Sequence, residues 1–333
     1  MWFEKLTGFP EETPQQVREK MTVDGQTLTS NVNGRVLTYG RLETPTLTEL
    51  RERVRTSGHQ DGKISAREAV ADVQHLHTDI SNAGALFQVA SQFNLLEMVS
   101  PYVTPEQGIG IYEHDHTQGP TCAIAAGAGT IYRNYFAIVN GQTGQSASNQ
   151  IDCLADIGAA LGNTENRLWE MRNGYALVSR GGLIEIARHL QTASESDIDR
   201  LRELLRIGIQ WETQVTINGA QHTVSQAYCS ALPVAYSHHA SPLWEPFARL
   251  VLEAAYEATL CAAILNRTNN GNNRLFLTLL GGGAFGNETN WIIEGIQRAL
   301  NLYKHVDMDV VIVSHRSSNP HVRQLVHQFV AAT

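Results

Sequence analysis

Hydrophobic and polar positions along this 333-residue chain form short blocks that predict strands and helices in turn. From about residue 64, apolar strand-like runs such as 85–91 and 274–280 are separated by segments with helical periodicity, the longest at 244–265. Strands that alternate with helices are typical of α/β proteins with a parallel or mixed sheet. The pattern therefore predicts an α/β fold whose ligand site lies beyond the carboxyl ends of the strands.

The first 60 residues have a different pattern, and we expect an N-terminal extension over 1–60 followed by one large domain over 61–333. Residues 27–29 and 36–39 flank an Asn-Val-Asn-Gly segment, which predicts a hairpin. Thr46, with Glu49 three residues later, has the pattern of a capping box. The extension is therefore expected to hold a hairpin and a short helix.

The most informative segment is 277–288, with the sequence Leu-Thr-Leu-Leu-Gly-Gly-Gly-Ala-Phe-Gly-Asn-Glu. It predicts a buried strand, a glycine-rich loop and a helix that begins near Asn287. Such an arrangement binds phosphate groups, because backbone N–H groups converge there and the helix dipole favours negative charge. Phe285 is expected to face the ligand, since the glycines around it offer no other bulk. A tight structural turn is the alternative.

Composition narrows the class of protein. The chain carries 25 Lys and Arg against 33 Asp and Glu, without a basic run interleaved with aromatics, so we expect no nucleic-acid partner. No stretch approaches about 20 apolar residues, so we expect no membrane span. Four well-separated cysteines indicate reduced thiols and a cytoplasmic location. The 13 histidines lack the spacing of a zinc site, so no metal is expected.

Three segments, in this order, resemble the macrodomain family, which binds ADP-ribose. Asp72-Val73 resembles the family's Gly-Asp-Ile segment, whose acid receives the adenine amino group. Ser-Gln-Phe-Asn at 91–94 resembles its Asn-Ala-Ala-Asn segment, whose last Asn holds the distal ribose. Residues 281–286 resemble the loop that wraps the diphosphate. The match covers most of 64–330 and implies a three-layer fold, with a mixed central sheet flanked by helices and with helical insertions.

The chain departs from that family at 105–120, where the usual Gly-Gly-Gly-Val catalytic loop is absent. This argues against the commonest macrodomain hydrolases and the poly(ADP-ribose) glycohydrolases. Residues 87–94, 117–120 and the glycine loop resemble the divergent MavL-like branch, which removes ADP-ribose from arginine side chains. The resemblance implies a cofactor-free hydrolase of ADP-ribosylarginine in proteins. A module that binds ADP-ribose without cleaving it is the alternative, and a metal-dependent hydrolase is a weaker third.

The resemblance also implies a set of binding residues. Asp79 competes with Asp72 for the adenine, because its distance from Asn94 along the chain is closer to the family's spacing. Three of these residues also have a structural alternative. Asp72 can cap a helix, Gln88 can form hydrogen bonds within the core, and Asn94 can cap a helix beginning at Leu95. The implied ADP-ribose-binding set is Asp72, Val73, Gln88, Ser91, Asn94, Gly281, Gly282, Gly283, Ala284, Phe285, Gly286 and Asn287.

Cleavage of the bond to arginine needs carboxylates, because one can activate water while another holds the guanidinium. Glu113 and Asp115 lie on the loop that replaces the glycine run, and Glu288 follows the glycine loop. We expect these three and Asn94 to form the catalytic set, with Glu97 ranked last. A solvated loop at 113–116 and a Glu288 that only complements the helix dipole are the alternatives.

Overall fold

The structure, a computed structural model, describes residues 1–332. Its helices are α1 (Trp2–Thr7), α2 (Pro14–Lys20), α3 (Leu47–Thr56), α4 (Val73–Thr78), α5 (Gln118–Ala125), α6 (Gly127–Tyr135), α7 (Ala155–Leu161), α8 (Arg180–Thr192), α9 (Glu195–Glu203), α10 (Ser241–Asn270), α11 (Thr289–Leu302) and α12 (Pro320–Ala332). Its strands are β1 (Met21–Asp24), β2 (Thr27–Ser30), β3 (Val36–Thr38), β4 (Arg41–Glu43), β5 (Ile64–Val70), β6 (Leu86–Ala90), β7 (Ile138–Val139), β8 (Gln142–Thr143), β9 (Trp169–Arg172), β10 (Tyr175–Val178), β11 (Gly208–Gln214), β12 (Thr223–Cys229), β13 (Arg274–Leu277) and β14 (Met308–Ser314).

Seven of these strands form a mixed central sheet in the order β4-β11-β12-β6-β13-β14-β5. The five strands from β12 to β5 are parallel, whereas β11 runs antiparallel to both β12 and β4. The carboxyl ends of the five parallel strands therefore meet at one edge, where ligands of such sheets bind. The predicted α/β class with a mixed central sheet is confirmed.

Helices cover both faces of this sheet. On β6, Phe87 stacks on His77 of α4 with ring centroids 3.9 Å apart, while the Gln88 side-chain amide donates to Thr259 of α10 at 3.0 Å. Neighbouring residues of a strand point to opposite faces, so α4 and α10 lie on opposite sides. The three predicted layers are present. Helix α10 lies at the centre of its layer and contacts α3, α8, α9 and α11.

The N-terminal segment forms a second hydrophobic core. Phe3, Leu6 and Phe9 pack there with Tyr112 and Tyr135 of the main domain. The hairpin predicted around the Asn-Val-Asn-Gly turn is present as β2 and β3, which extend a small sheet with β1. These apolar contacts fix the N-terminal segment against residues 96–136 of the chain.

The predicted domain boundary at residue 60 differs from the structure. Strand β4 pairs with β11 of the central sheet, and Leu47, Leu50 and Val54 of α3 belong to the main core. The capping box of Thr46 and Glu49 is present at the start of α3. Residues 41–56 are thus an integral part of the main domain, because their apolar side chains are buried against α10.

No helix among residues 1–332 is long and apolar enough to span a bilayer.

Candidate functional site

A cleft opens at the carboxyl ends of the parallel strands, between β6 and β13. The two strands pair only at Leu86–Leu275 and Phe87–Phe276 and then separate. The side chain of Gln118 fills the gap: its amide donates to Gln88 O and accepts from Ala90 N, both at 2.8 Å. This amide completes the hydrogen bonds that β6 loses at the divergence. It also divides the cleft into two compartments.

The large compartment has a volume of about 660 Å³ and lies between α4 and the end of β14. Asp72, Val73 and Gln88 line it, together with His315 and Arg316. Asp72 is the cap of α4 rather than a strand residue, and its carboxylate accepts from Gln74 N at 2.8 Å. The capping role of Asp72 is thus real, and the residue still borders the cleft.

Asp79, the rival of Asp72, does not line either compartment. It caps a short turn after α4, where its carboxylate accepts from Ser81 N at 2.9 Å. Beneath the large compartment, His77 is fully buried. Burial lowers the pKa of His77 to about 4, so this imidazole is neutral.

The small compartment has a volume of about 150 Å³ and lies beside the glycine loop. Three aromatic rings gather along it, those of Tyr175, Tyr236 and Phe285, with centroids 5.0 to 5.6 Å apart. Two carboxylic side chains, Glu97 and Asp115, lie on its wall. The compartment therefore combines aromatic faces with acids, a combination suited to a cationic group.

The glycine loop borders this compartment and leaves several of its backbone N–H groups without a hydrogen-bond acceptor. The N–H groups of Gly282, Gly286 and Asn287 donate within the loop. Four other N–H groups of the loop have no hydrogen-bond acceptor among residues 1–332. They belong to residues that line the small compartment, namely Gly281, Gly283, Ala284 and Phe285. Such a row of free amides on one wall suits an anionic oxygen-rich ligand.

Contacts from other elements fix the shape of this loop. The Tyr256 hydroxyl of α10 donates to Thr278 O at 2.9 Å and accepts from Leu280 N at 2.8 Å. Asn287 is buried behind the loop and donates to Leu232 O at 2.8 Å. Gly281 has φ +74°, and a Cβ there would overlap Ala231. The loop is thus rigidly held, and helix α11 begins at Thr289, two residues after the predicted start.

Asn94, the expected ribose ligand, does not line either compartment. Its side chain is fully buried, where it donates to Gln150 Oε1 at 2.9 Å and accepts from Leu96 N at 3.1 Å. No helix begins at Leu95; this residue instead adopts a left-handed φ of 65°. Asn94 therefore shapes a turn. Ser91, three residues earlier, does lie on the wall of the small compartment.

The expected catalytic acids are separated by the structure. Asp115 lies on the wall of the small compartment, and its carboxylate accepts from Thr117 N at 2.9 Å. Glu113 points away and accepts from Trp2 N at 2.9 Å, so it ties its loop to the N-terminal segment. Glu288 is exposed at the start of α11 and accepts from Ser241 Oγ at 2.8 Å, outside both compartments.

The sequence analysis ranked Glu97 last, yet this residue lines the small compartment. It also missed Gln118, Tyr175 and Tyr236 as lining residues. The signal for Gln118 was its position within the segment 105–120, which replaces the glycine run. Tyr175 and Tyr236 carried no such signal, because they reach the cleft from β10 and from a turn after β12.

Among residues 1–332, no group of three or more His, Cys, Asp and Glu side chains is arranged to hold a metal ion. The four cysteines are free and buried. Burial raises the pKa of the Cys229 thiol to about 11, and it also raises the pKa of the Cys261 thiol, to about 12. These thiols are therefore protonated and unsuited to act as nucleophiles.

No protein-family model matches the chain, and no curated protein matches its sequence. Similar solved structures include poly(ADP-ribose) glycohydrolase from Deinococcus radiodurans in complex with ADP-ribose, with a TM-score of 0.46 and 13% identity over 88% of this chain and 94% of that chain. Another is poly(ADP-ribose) glycohydrolase from Thermomonospora curvata bound to the inhibitor ADP-HPD, with a TM-score of 0.42 and 12% identity over 96% of each chain.

Proposed function

We propose that this protein is a hydrolase that binds ADP-ribose in the cleft and removes mono-ADP-ribose from modified arginine side chains of proteins. The observation that carries the proposal is the set of free N–H groups at 281 and 283–285, whose residues line one small compartment with Asp115 and Glu97. Amides without a partner suit a diphosphate, and carboxylic groups beside them suit bond cleavage at the attached sugar.

The large compartment would receive the adenosine end of this ligand. It joins the small compartment at Thr117, Gln118 and Thr278, which line both. Asp72 offers an acceptor for an amino group there, and Phe87 and Phe276 offer apolar surface. A ligand with two ends joined by a diphosphate matches this arrangement, because the two compartments meet at shared residues and the free amides belong to residues that line the small one.

Arginine as the modified side chain is supported by the aromatic rings and the acid that line the small compartment. A guanidinium group stacks on aromatic faces and donates paired hydrogen bonds to carboxylates. Tyr175, Tyr236 and Phe285 provide the faces, and Asp115 provides a carboxylate. We also propose a cytoplasmic location, which is supported by the free thiols of all four cysteines.

The test is the release of ADP-ribose from defined peptides. The protein is incubated with peptides that carry mono-ADP-ribose on arginine or on glutamate, and with poly(ADP-ribose), and the released nucleotide is measured by chromatography. We expect release from the arginine-linked peptide, unchanged in excess chelator. Binding of free ADP-ribose is measured in parallel by calorimetry.

Each result decides between the alternatives. Tight ADP-ribose binding without release from any substrate would make the protein a binding module. Preferred release from glutamate or from the polymer would refute the arginine assignment. Loss of activity in chelator would favour the metal-dependent alternative, and absence of both binding and release would refute the proposal.

A further inference from the structure

Glu97 is a buried acid without a hydrogen-bond partner at its Oε1 atom. Only 3% of the residue is exposed, and this atom is the one carboxylate oxygen among the buried unpartnered side-chain atoms of residues 1–332. Leaving a buried polar group unpaired destabilises the folded protein, because the group has lost its hydrogen bonds to water. Glu97 borders the small compartment, so a ligand there can supply the missing partner.

The backbone around Glu97 fixes the orientation of this side chain. Leu95 has φ 65°, a left-handed conformation that is uncommon for residues other than glycine. The turn is stabilised from both ends, because Gln92 Oε1 accepts from Met98 N at 2.9 Å and Tyr112 Oη accepts from Glu97 N at 2.9 Å. Opposite the carboxyl lies Gly119, where a Cβ would overlap Glu97 Oε2. Space for the carboxyl is thus preserved by a glycine.

The electrostatic surroundings of Glu97 act in opposing directions. Burial raises the pKa of Glu97 well above its usual range, and Asp115 adds to the rise. Arg133 works against it. This guanidinium is fully buried and forms no ion pair with any of residues 1–332; it donates to Leu95 O at 3.1 Å and stacks over Tyr228 at 3.6 Å. Burial is the larger effect, so the net shift of the Glu97 pKa is upward, which favours the protonated carboxyl.

We propose that Glu97 is the proton donor of this hydrolase and that Asp115 is the paired proton acceptor. This inference rests on the proposed function and identifies the groups that perform it. The bond between C1″ of the distal ribose and the guanidino nitrogen breaks, with its electron pair going to nitrogen. Glu97 gives its proton to that departing nitrogen, a water oxygen bonds to C1″, and Asp115 takes the proton that the water loses. Bulk water then returns this proton from Asp115 to Glu97.

The assignment of Glu97 as the proton donor predicts that turnover depends on pH. Turnover should fall as the pH rises and Glu97 loses its proton. Six titratable or charged groups interact electrostatically with Glu97. They are Arg133, Asp115, Tyr112, Cys122, Tyr175 and Tyr228. Burial raises the pKa of the tyrosines and of Cys122 well above their usual values, so these groups do not titrate near neutral pH.

The test compares two substrates in Glu97→Gln, which keeps the shape of the side chain but removes its acidic proton. The first is the arginine-linked peptide, and the second is an ADP-ribosyl ether of nitrophenol, whose leaving group needs no proton. On the peptide we expect kcat to fall about 10²–10⁴-fold and the alkaline decline to disappear. On the ether we expect a loss of less than about 10-fold. ADP-ribose affinity should stay within about 3-fold. The matched control is Glu106→Gln, an exposed acid that accepts from Ala147 N at 2.8 Å, for which no change is expected.

The outcomes separate this inference from the proposed function. An equal loss on both substrates would indicate a structural role and overturn the inference, and so would full activity of Glu97→Gln on the peptide. If Glu97→Gln fails to fold, the wild-type profile decides, because a rate on the peptide that stays constant at alkaline pH overturns the inference. A wild-type protein that is inactive on every substrate would refute the proposed function itself, and the proton-donor role of Glu97 with it.

Discussion

Two buried glutamates, Glu257 and Glu97, are equally hidden from water and yet have opposite surroundings. Glu257 on α10 is 2% exposed, and both of its oxygens are paired: Arg51 donates at 2.5 and 2.9 Å, and Arg298 donates at 2.5 Å. Glu97 is 3% exposed, and one of its oxygens has no partner. Burial alone therefore does not distinguish a structural acid from a functional one.

The difference lies in what completes each group. Around Glu257, Arg51 and Arg298 also bind Asp199 of α9, so four helices are joined by one charged network. The protein supplies every partner there, and the network adds geometric definition to the helical layer. At Glu97 the protein leaves one carboxyl oxygen unpaired, and the residue borders the small compartment. The carboxylate of Glu257 has all its hydrogen-bond partners within the chain and stabilises the fold. The carboxyl of Glu97 has an unpaired oxygen beside a cavity, which is the arrangement expected of a group that contacts a ligand.

The largest expected effect concerns the two acids of the 113–115 loop. Like Glu97 and Glu257, one of them is expected to be functional and the other structural. Asp115→Asn should lower turnover of the arginine-linked peptide about 10²–10⁴-fold, because the proton acceptor is lost. Glu113→Gln should change turnover less than about 3-fold, since Glu113 accepts from Trp2 N and does not line the compartment. Steady-state kinetics of both variants is the measurement. Equal loss in both variants would show that the loop acts as a unit.

A smaller effect is expected at the paired glutamate. Arg51→Met should lower the free energy of unfolding by about 3 kcal/mol, because it leaves a buried carboxylate with one partner instead of two. Turnover per folded molecule should remain unchanged. Urea unfolding measures the first quantity and kinetics the second. The matched control is Arg53→Met on the same helix, whose exposed pair with Glu43 contributes less than about 1 kcal/mol.

A stability change of Arg51→Met as small as that of Arg53→Met would mean that the network around Glu257 is dispensable. A loss of turnover in Arg51→Met would mean that the helical layer and the cleft are coupled. Either result would remove the contrast between a structural and a functional glutamate.

The smallest expected effect is the pH dependence of stability at Glu97. Its pKa is raised in the folded protein, so its contribution is fully present below the unfolded pKa and is lost as the pH rises through the folded one. Glu97→Gln cannot ionise. We therefore expect the stability of the variant to gain on that of the wild type by about 1.4 kcal/mol for each pH unit between the unfolded and the folded pKa. Urea unfolding at a series of pH values is the measurement, and parallel curves for the two proteins would contradict the raised pKa.

Local patterns in the sequence predicted several elements well. The capping box of Thr46 and Glu49, the hairpin of β2 and β3 and the strand β6 all depend on residues near one another in the chain. The glycine loop was also correctly predicted to follow a buried strand and precede a helix. The prediction for Asn94 differs from the structure. Its residue type suggested a contact with the ligand, whereas its side chain forms a hydrogen bond with Gln150, 56 residues away.

The sequence by itself determined the alternation of strands and helices, the position of the glycine loop and the acids available for chemistry, because these follow from periodicity and residue type over short distances. Only the tertiary structure decided which acids face the cleft. Glu113 is bound by Trp2, 111 residues away, and Glu97 is enclosed by Tyr112, Gly119 and Arg133 from three other segments. Whether a carboxyl keeps a free oxygen depends on such distant neighbours, and no local pattern encodes them.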